Sequence, residues 1–330
     1  MRVVLLPGDG IGPEIAVAAR RALAELASDL EIEEHVFGAE AIRSTGDPLP
    51  AKTLAACRAA DAVLKGPIGD PEFDAADVRP EQGLLRLRSE LGVYANLRPA
   101  RGEAIDLLIV RELVGGLYYG ASGVREDGTV FDTCEYHPHQ VERIARRAFE
   151  LARMRQSRLT SVDKANVLET SRMWRRVVRE VGKDYPDVTV DDMLVDNAAM
   201  QLASAPEQFD VIVTENMFGD ILSDLAAAVT GGLGLAPSAS LGDSRPGLFE
   251  PVHGSAPDVA GRGVANPAAM LRSTALLLEH GLGRQSEAAA LDAAVDSALE
   301  RAPTFDLGGT ATTEEFTDAA LTALEGARTL

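Results

Sequence analysis

The chain is 330 residues long, 46% hydrophobic and 25% charged, which is enough for a large core divided over two domains. Its 51 acidic against 32 basic residues leave a net charge of −19, which would repel a phosphate backbone or an anionic bilayer, so neither a nucleic-acid nor a membrane partner is expected. Two cysteines, Cys57 and Cys134, give neither a metal-ligand spacing nor a disulfide framework, no apolar run approaches the ~20 residues of a membrane span, and a soluble cytoplasmic protein is expected.

The first residues, Met1-Arg-Val-Val-Leu-Leu-Pro-Gly, carry no apolar signal core or cleavage site and enter a strand at Val3 to Leu6. A glycine turn then leads into a helix from about Ile11 to Ala27, followed by a strand at Ile32 to Phe37. Further strands are predicted at Ala62 to Leu64, Leu107 to Val110, Leu159 to Val162, Val188 to Val190 and Val211 to Val213. Helices fall between most of them, as at Gln140 to Arg155 and Arg172 to Val181, which predicts an α/β chain with a largely parallel sheet. Gly115 to Pro138 interrupts the alternation with glycine, tyrosine and threonine and reads as a protruding hairpin. The last 65 residues are mostly helical after Asn266-Pro267, a good helix start.

Gly8-Asp-Gly-Ile-Gly-Pro-Glu14 superficially matches a dinucleotide-binding fingerprint. The third glycine would fall on Pro13, so the motif fails where helix and strand must pack closely.

Asp220 and Asp224 stand one helical turn apart, in a helix that Gly219 is expected to open. Two hard oxygen ligands would therefore point the same way. They lie opposite Ile221, Leu222, Leu225 and Val229 on a helical wheel, and the same pattern also suits the solvated face of an amphipathic helix.

Six blocks carry a resemblance. They are Gly8 to Glu14, Arg79-Pro-Glu-Gln-Gly-Leu-Leu-Arg-Leu-Arg88, Ala95-Asn-Leu-Arg-Pro99, Ser161-Val-Asp-Lys-Ala-Asn-Val-Leu168, Asn216 to Asp224, and Glu250-Pro-Val-His-Gly-Ser-Ala-Pro-Asp258. Together, and over essentially the whole chain, the sequence resembles the β-decarboxylating dehydrogenases, which act on isocitrate, isopropylmalate, homoisocitrate, and tartrate or D-malate. The resemblance implies two open α/β domains of the isocitrate/isopropylmalate dehydrogenase type, non-Rossmann, with a β-arm in the middle domain. It places a cofactor-binding domain at 1–98 plus 231–330 and a substrate, metal and dimerisation domain at 99–230.

Chemistry of this kind needs charge complements for two carboxylates, a base for a hydroxyl, a hydride acceptor and an electron sink for decarboxylation. Arginine suits the carboxylates because its planar fork binds them bidentately. The resemblance implies Arg88 and Arg98 on the substrate, with Arg125 as the third. It implies Lys164 as the base, Asn166 nearby at the nicotinamide, and Tyr136 as the residue that protonates the enol. Lys164 follows an apolar strand, which could desolvate its amine; a strand-end lysine with its head in water is the other reading. The resemblance also implies that Asp196 joins Asp220 and Asp224 as a ligand for Mg²⁺ or Mn²⁺, and that Asp220 reaches the substrate. Asp196 and Lys164 are expected from a second subunit, so the active unit is a homodimer with shared active sites.

For the cofactor, the resemblance implies His253, Gly254, Ser255, Ala256, Asp258, Val259 and Asn266, with Ile11, Gly234 and Asp306 as additions. Asp258 selects NAD over NADP, because a carboxylate accepts ribose hydroxyls and repels a 2′-phosphate. Substrate choice rests on Glu81, Leu84 and Leu85, where two leucines offer an apolar wall and one or both could instead serve the core. The expected reaction is NAD-dependent oxidation and decarboxylation of 3-isopropylmalate in leucine biosynthesis. A relative acting on tartrate, D-malate or homoisocitrate, and a non-catalytic regulatory subunit, are the alternatives. Two departures from the family pattern stand out: a short stretch between Pro99 and Leu107, and Leu64-Lys-Gly-Pro-Ile-Gly-Asp70 in place of a smaller, glycine-richer loop.

Overall fold

A computed structural model describes residues 1–102 and 105–328, so the short stretch after Pro99 lies partly outside the described residues. The chain forms two compact units, Met1–Val93 with Leu233–Leu330, and Tyr94–Gly232. The divisions between the units fall at 93/94 and 232/233.

In the first unit, β1 (Arg2–Leu6), α1 (Gly12–Leu26), β2 (Glu31–Glu34), α2 (Ala39–Thr45), α3 (Ala51–Ala59), β3 (Ala62–Lys65) and α4 (Pro80–Glu90) follow one another. The second unit holds β4 (Ala95–Gly102), β5 (Ile105–Glu112), β6 (Ser122–Val124), β7 (Val130–Asp132), α5 (Pro138–Arg153), β8 (Arg158–Asp163), α6 (Glu169–Gly182), β9 (Thr189–Leu194), α7 (Val195–Ser204), β10 (Val211–Thr214) and α8 (Asn216–Val229). The chain then returns to the first unit with β11 (Pro237–Leu241), β12 (Gly247–Pro251), α9 (Ala268–Leu276), α10 (Gln285–Arg301) and α11 (Thr313–Arg328).

Strands of the first unit run in the order β2-β1-β3-β12-β11, parallel except that β11 is antiparallel to β12. Those of the second run β4-β5-β10-β8-β9, parallel except that β4 is antiparallel to β5. A largely parallel α/β architecture is therefore present in both units. The hairpin β6–β7 stands as its own two-stranded sheet, with Val124 and Val130 exposed.

β1 and β3 are buried along almost their whole length, as strands covered on both faces must be. Val4, Leu6, Val63, Leu87 and Leu248 share a core with Phe37 and Leu49, and Leu84 packs against its edge. In the second unit Ile109, Val162, Ile212, Leu222 and Ala226 form the corresponding core.

α8 opens at Asn216, not at Gly219. The Glu215 carboxylate accepts the Phe218 amide at 3.1 Å and so satisfies an otherwise orphaned helix N–H. Gly219 serves close packing instead: an added Cβ would sit 2.7 Å from Arg111 Cγ. On the apolar side Leu222 is fully buried, whereas Ile221 is 59% exposed and stands outside the stripe expected for it.

Candidate active site

Asp220 and Asp224 project from one face of α8, and β4 and β5 place arginines against them. Arg98, buried in β4, reaches Asp220 at 3.2 Å and Asp224 at 3.3 Å, and is steadied by Asn96 at 2.9 Å and Ser223 at 2.6 Å. Burial of these polar strand residues explains why β4 has no alternating apolar pattern.

Arg111, 2% exposed in β5, also pairs with Asp220. It lies along Gly219, and its Nε donates to Asn216 Oδ1 at 2.9 Å. Asn216 in turn donates to the Leu113 and Gly115 carbonyls at 3.1 and 3.0 Å, locking the loop after β5. That loop delivers Tyr118, whose hydroxyl donates to Asp220 at 3.1 Å and whose ring lies 5.7 Å from the Arg111 guanidinium. Burial, and then the Asp220 charge, push the Tyr118 phenol up, which keeps it protonated. Burial likewise raises the Asp224 carboxyl in spite of Arg98.

Two residues expected at the substrate, Arg125 and Tyr136, make other contacts in this chain. Arg125 is exposed at the turn of the β6–β7 hairpin, its guanidinium 5.0 Å from the Phe131 ring. The second arginine that meets the aspartate pair, beside Arg98, is Arg111. Tyr136 is committed to holding α8: its hydroxyl accepts the Asn216 amide at 2.9 Å and donates to Glu215 at 3.3 Å, while its ring meets Trp174 edge-on. Burial and the Glu215 charge raise its phenol steeply. The aromatic hydroxyl at the aspartate pair belongs to Tyr118. Arg111 and Tyr118 were both visible as a strand-end arginine and a loop tyrosine, but nothing local distinguishes them from the other arginines and tyrosines of the chain.

Lys164, just after β8, and Asp196, in the first turn of α7, form an ion pair at 2.7 Å, with the Asp196 side chain 66% exposed. The lysine hydrogen bond holds the Asp196 carboxyl below the usual range. Asn166 is exposed close by. Among the described residues no three histidine, cysteine or acidic side chains gather as a metal site, so Asp196 does not join Asp220 and Asp224 within one chain.

In the first unit, Arg88 donates to Glu250 at 3.0 Å, on the buried side of α4. Leu85 and Glu81 share that helix, Glu81 exposed and Leu85 half-buried; Leu84, packed on the core edge, is the leucine that serves packing.

The 253–258 loop is built tightly. Ile11, 6% exposed, donates its amide to the Ser255 carbonyl at 2.8 Å, which makes it a strut for this loop. Ala256 adopts a left-handed φ of 43°. The His253 Nδ1 meets the Gly254 carbonyl at 3.0 Å; its Nε2 is buried with no hydrogen-bond partner among the described residues. Burial lowers the imidazole pKa, so the ring is neutral. Asp258 is exposed and Val259 half-buried. Asn266 donates to Asp306 at 3.0 Å, and Gly234 lies so close that a Cβ would sit 2.9 Å from the Asp306 carboxylate.

The profile of a family described as isocitrate/isopropylmalate dehydrogenase matches residues 2–320. The 3-isopropylmalate dehydrogenases of Oceanobacillus iheyensis and Zymomonas mobilis are 50% and 51% identical to the chain, covering 97% and 98% of it and 94% and 100% of their own lengths. Among solved structures, isocitrate dehydrogenase from Methylococcus capsulatus is similar with a TM-score of 0.91 at 37% identity, over 98% of this chain and 99% of that one. A β-decarboxylating dehydrogenase from Thermococcus kodakarensis is similar with a TM-score of 0.87 at 40% identity, over 100% and 97% of the two chains.

Proposed function

Because the chain belongs to the isocitrate/isopropylmalate dehydrogenase family, we propose that it oxidises and decarboxylates (2R,3S)-3-isopropylmalate to 4-methyl-2-oxopentanoate and carbon dioxide, with NAD as hydride acceptor, in leucine biosynthesis. The convergence of Arg98, Arg111 and Tyr118 on the Asp220–Asp224 pair is the observation that carries this reading. Buried guanidinium forks are suited to carboxylates, and the adjacent phenol is a proton donor.

Asp220 and Asp224 offer only hard oxygens, 35% and 52% exposed, from one helix face, which fits part of a Mg²⁺ or Mn²⁺ site. The set would be completed by the partner subunit's Asp196, with the partner subunit's Lys164 beside it. When bound, the cation supplies Lewis-acid polarisation of the hydroxyl and charge compensation as carbon dioxide leaves. Met200 and Ile221, each 59% exposed on α7 and α8, support a homodimer through this face. The orphaned His253 Nε2 fits a hydrogen-bonding cofactor, and the exposed Asp258 fits ribose hydroxyls. NAD, when bound, supplies the hydride acceptor.

Lys164 takes the proton of the 2-hydroxyl. Its 2.7 Å ion pair with Asp196 fixes the amine beside that carboxylate. Arg88, Arg98 and Arg111 hold the carboxylates and Leu85 contacts the isopropyl group. Tyr118, kept protonated by its surroundings, returns a proton to carbon once carbon dioxide has gone. Purified protein given NAD, Mg²⁺ and a panel of isopropylmalate, isocitrate, homoisocitrate, D-malate and tartrate tests the reading; preference for any of the last four overturns the substrate.

A further inference from the structure

Lysine is scarce in this chain, four residues against 28 arginines, yet Lys65 at the end of β3 is 1% exposed. Its Nζ lies 2.7 Å from Glu250 Oε2 and donates to the Gly66 carbonyl at 2.7 Å. From the other side Arg88 Nη2 donates to Glu250 Oε1 at 3.0 Å. Burial pushes the Glu250 carboxyl up, but Lys65 and Arg88 overcome it and hold the group at about 2, so it stays ionised. Two cations against one carboxylate leave a single positive charge on this buried cluster, and Arg88 Nε is buried without a hydrogen-bond partner among the described residues. A buried charge without a counter-ion is costly until an anion meets it.

We propose that Lys65 is a positioning residue for substrate binding: it neutralises Glu250, so that Glu250 can brace the Arg88 fork without consuming the charge that a substrate carboxylate needs. The inference rests on Arg88 being a substrate arginine. Without Lys65, Glu250 and Arg88 cancel, and an incoming carboxylate faces a neutral pair with a competing carboxylate at its centre. Lys65 touches no reacting atom, so its loss weakens binding and spares the chemical step.

The experiment measures the Kd of 3-isopropylmalate by calorimetry, with kcat and KM beside it, for the wild-type chain, Arg88→Gln, Lys65→Met, Lys65→Arg and the double variant Lys65→Met/Glu250→Gln. Lys65→Met should raise Kd and KM at least ~10-fold with kcat within ~3-fold, and Lys65→Arg should stay within ~3-fold of wild type. The double variant restores the single positive charge on Arg88 and should return Kd to within ~3-fold of wild type, a rescue that a purely structural lysine would not show. It keeps the single buried positive charge that the wild-type cluster carries, so it decides the matter even if Lys65→Met does not fold. Unchanged Kd in folded Lys65→Met, or a double variant still weakened ~10-fold or more, overturns the inference alone. Wild-type Kd in Arg88→Gln, or no binding by the wild-type chain, overturns the reading of Arg88 and this inference with it.

Discussion

Tyr118 donates its hydroxyl to Asp220 at 3.1 Å across 102 positions of sequence, tying the loop after β5 to the carboxylate that Arg98 and Arg111 also hold. Tyr118→Phe removes the donor while keeping the ring, and should lower kcat by about 10²-fold, the usual worth of a positioned acid. Tyr136→Phe should instead lower Tm by a few degrees and leave kcat within ~3-fold, because its hydroxyl supports the start of α8. Steady-state rates and thermal melts of the two variants separate the roles; a larger kcat loss in Tyr136→Phe would reverse the assignment.

Activity should require Mg²⁺ or Mn²⁺. Asp220→Asn should reduce kcat/KM by at least ~100-fold, since it weakens a ligand and the anchor of two arginines together, while the exposed control Glu300→Gln stays near wild type. Full turnover after exhaustive chelation would remove the metal from the mechanism.

NAD should be preferred over NADP by at least about tenfold in kcat/KM, or ~1.4 kcal/mol, a cautious fraction of the repulsion between Asp258 and a 2′-phosphate. Asp258→Ala should narrow this gap, mainly by weakening NAD. Parallel kinetics with both cofactors provide the check, and an unchanged ratio counts against Asp258.

With Leu84 on the core edge, Leu85 is the leucine expected to contact the isopropyl group. Replacing isopropyl by hydrogen forfeits ~2 kcal/mol of burial at about 0.8 per carbon, so isopropylmalate should exceed D-malate by at least ~30-fold in kcat/KM. Leu85→Ala should shrink that ratio through isopropylmalate alone, and Leu84→Ala should chiefly lower Tm. Competition kinetics on the two substrates decide between them.

Glu112 is fully buried, with Arg143 at 3.3 Å and the Val114 amide at 3.1 Å on its two oxygens. Burial outweighs Arg143 and pushes its carboxyl up from 4.5 to about 7. A carboxyl whose folded pKa exceeds its unfolded value lends stability that is complete below about 4.5 and disappears as pH rises through about 7. Tm should therefore fall between about pH 5 and pH 8, and Glu112→Gln should flatten that slope. An equal slope in the variant would assign the pH dependence to other groups.

Features set by neighbouring residues were legible in the sequence. The shared face of Asp220 and Asp224 follows from helix geometry alone, and the buried strands β1, β3, β5 and β10 announce themselves by apolar runs. The strands that escaped are those whose polarity is satisfied at a distance. β4 buries Asn96 and Arg98 because Ser223 and two aspartates more than 120 positions away receive their charge and hydrogen bonds. β11 and β12 are short, and Ser238 and Glu250 within them are buried by partners on other elements.

The same limit governed the site. Arg125 and Tyr136 were reasonable residue types in reasonable loops, and only the folded chain turns Arg125 toward Phe131 and spends the Tyr136 hydroxyl on the start of α8. Arg111 earns its place through a glycine one helix away, Gly219, whose missing side chain lets the guanidinium pass to Asp220. Composition and periodicity bounded the class of protein, and the resemblance carried by six sequence blocks implied the class of chemistry, because both follow from residue types in local order. Which arginine and which tyrosine meet the carboxylates is a matter of strand order and close packing, interactions between residues about a hundred positions apart that no local pattern encodes.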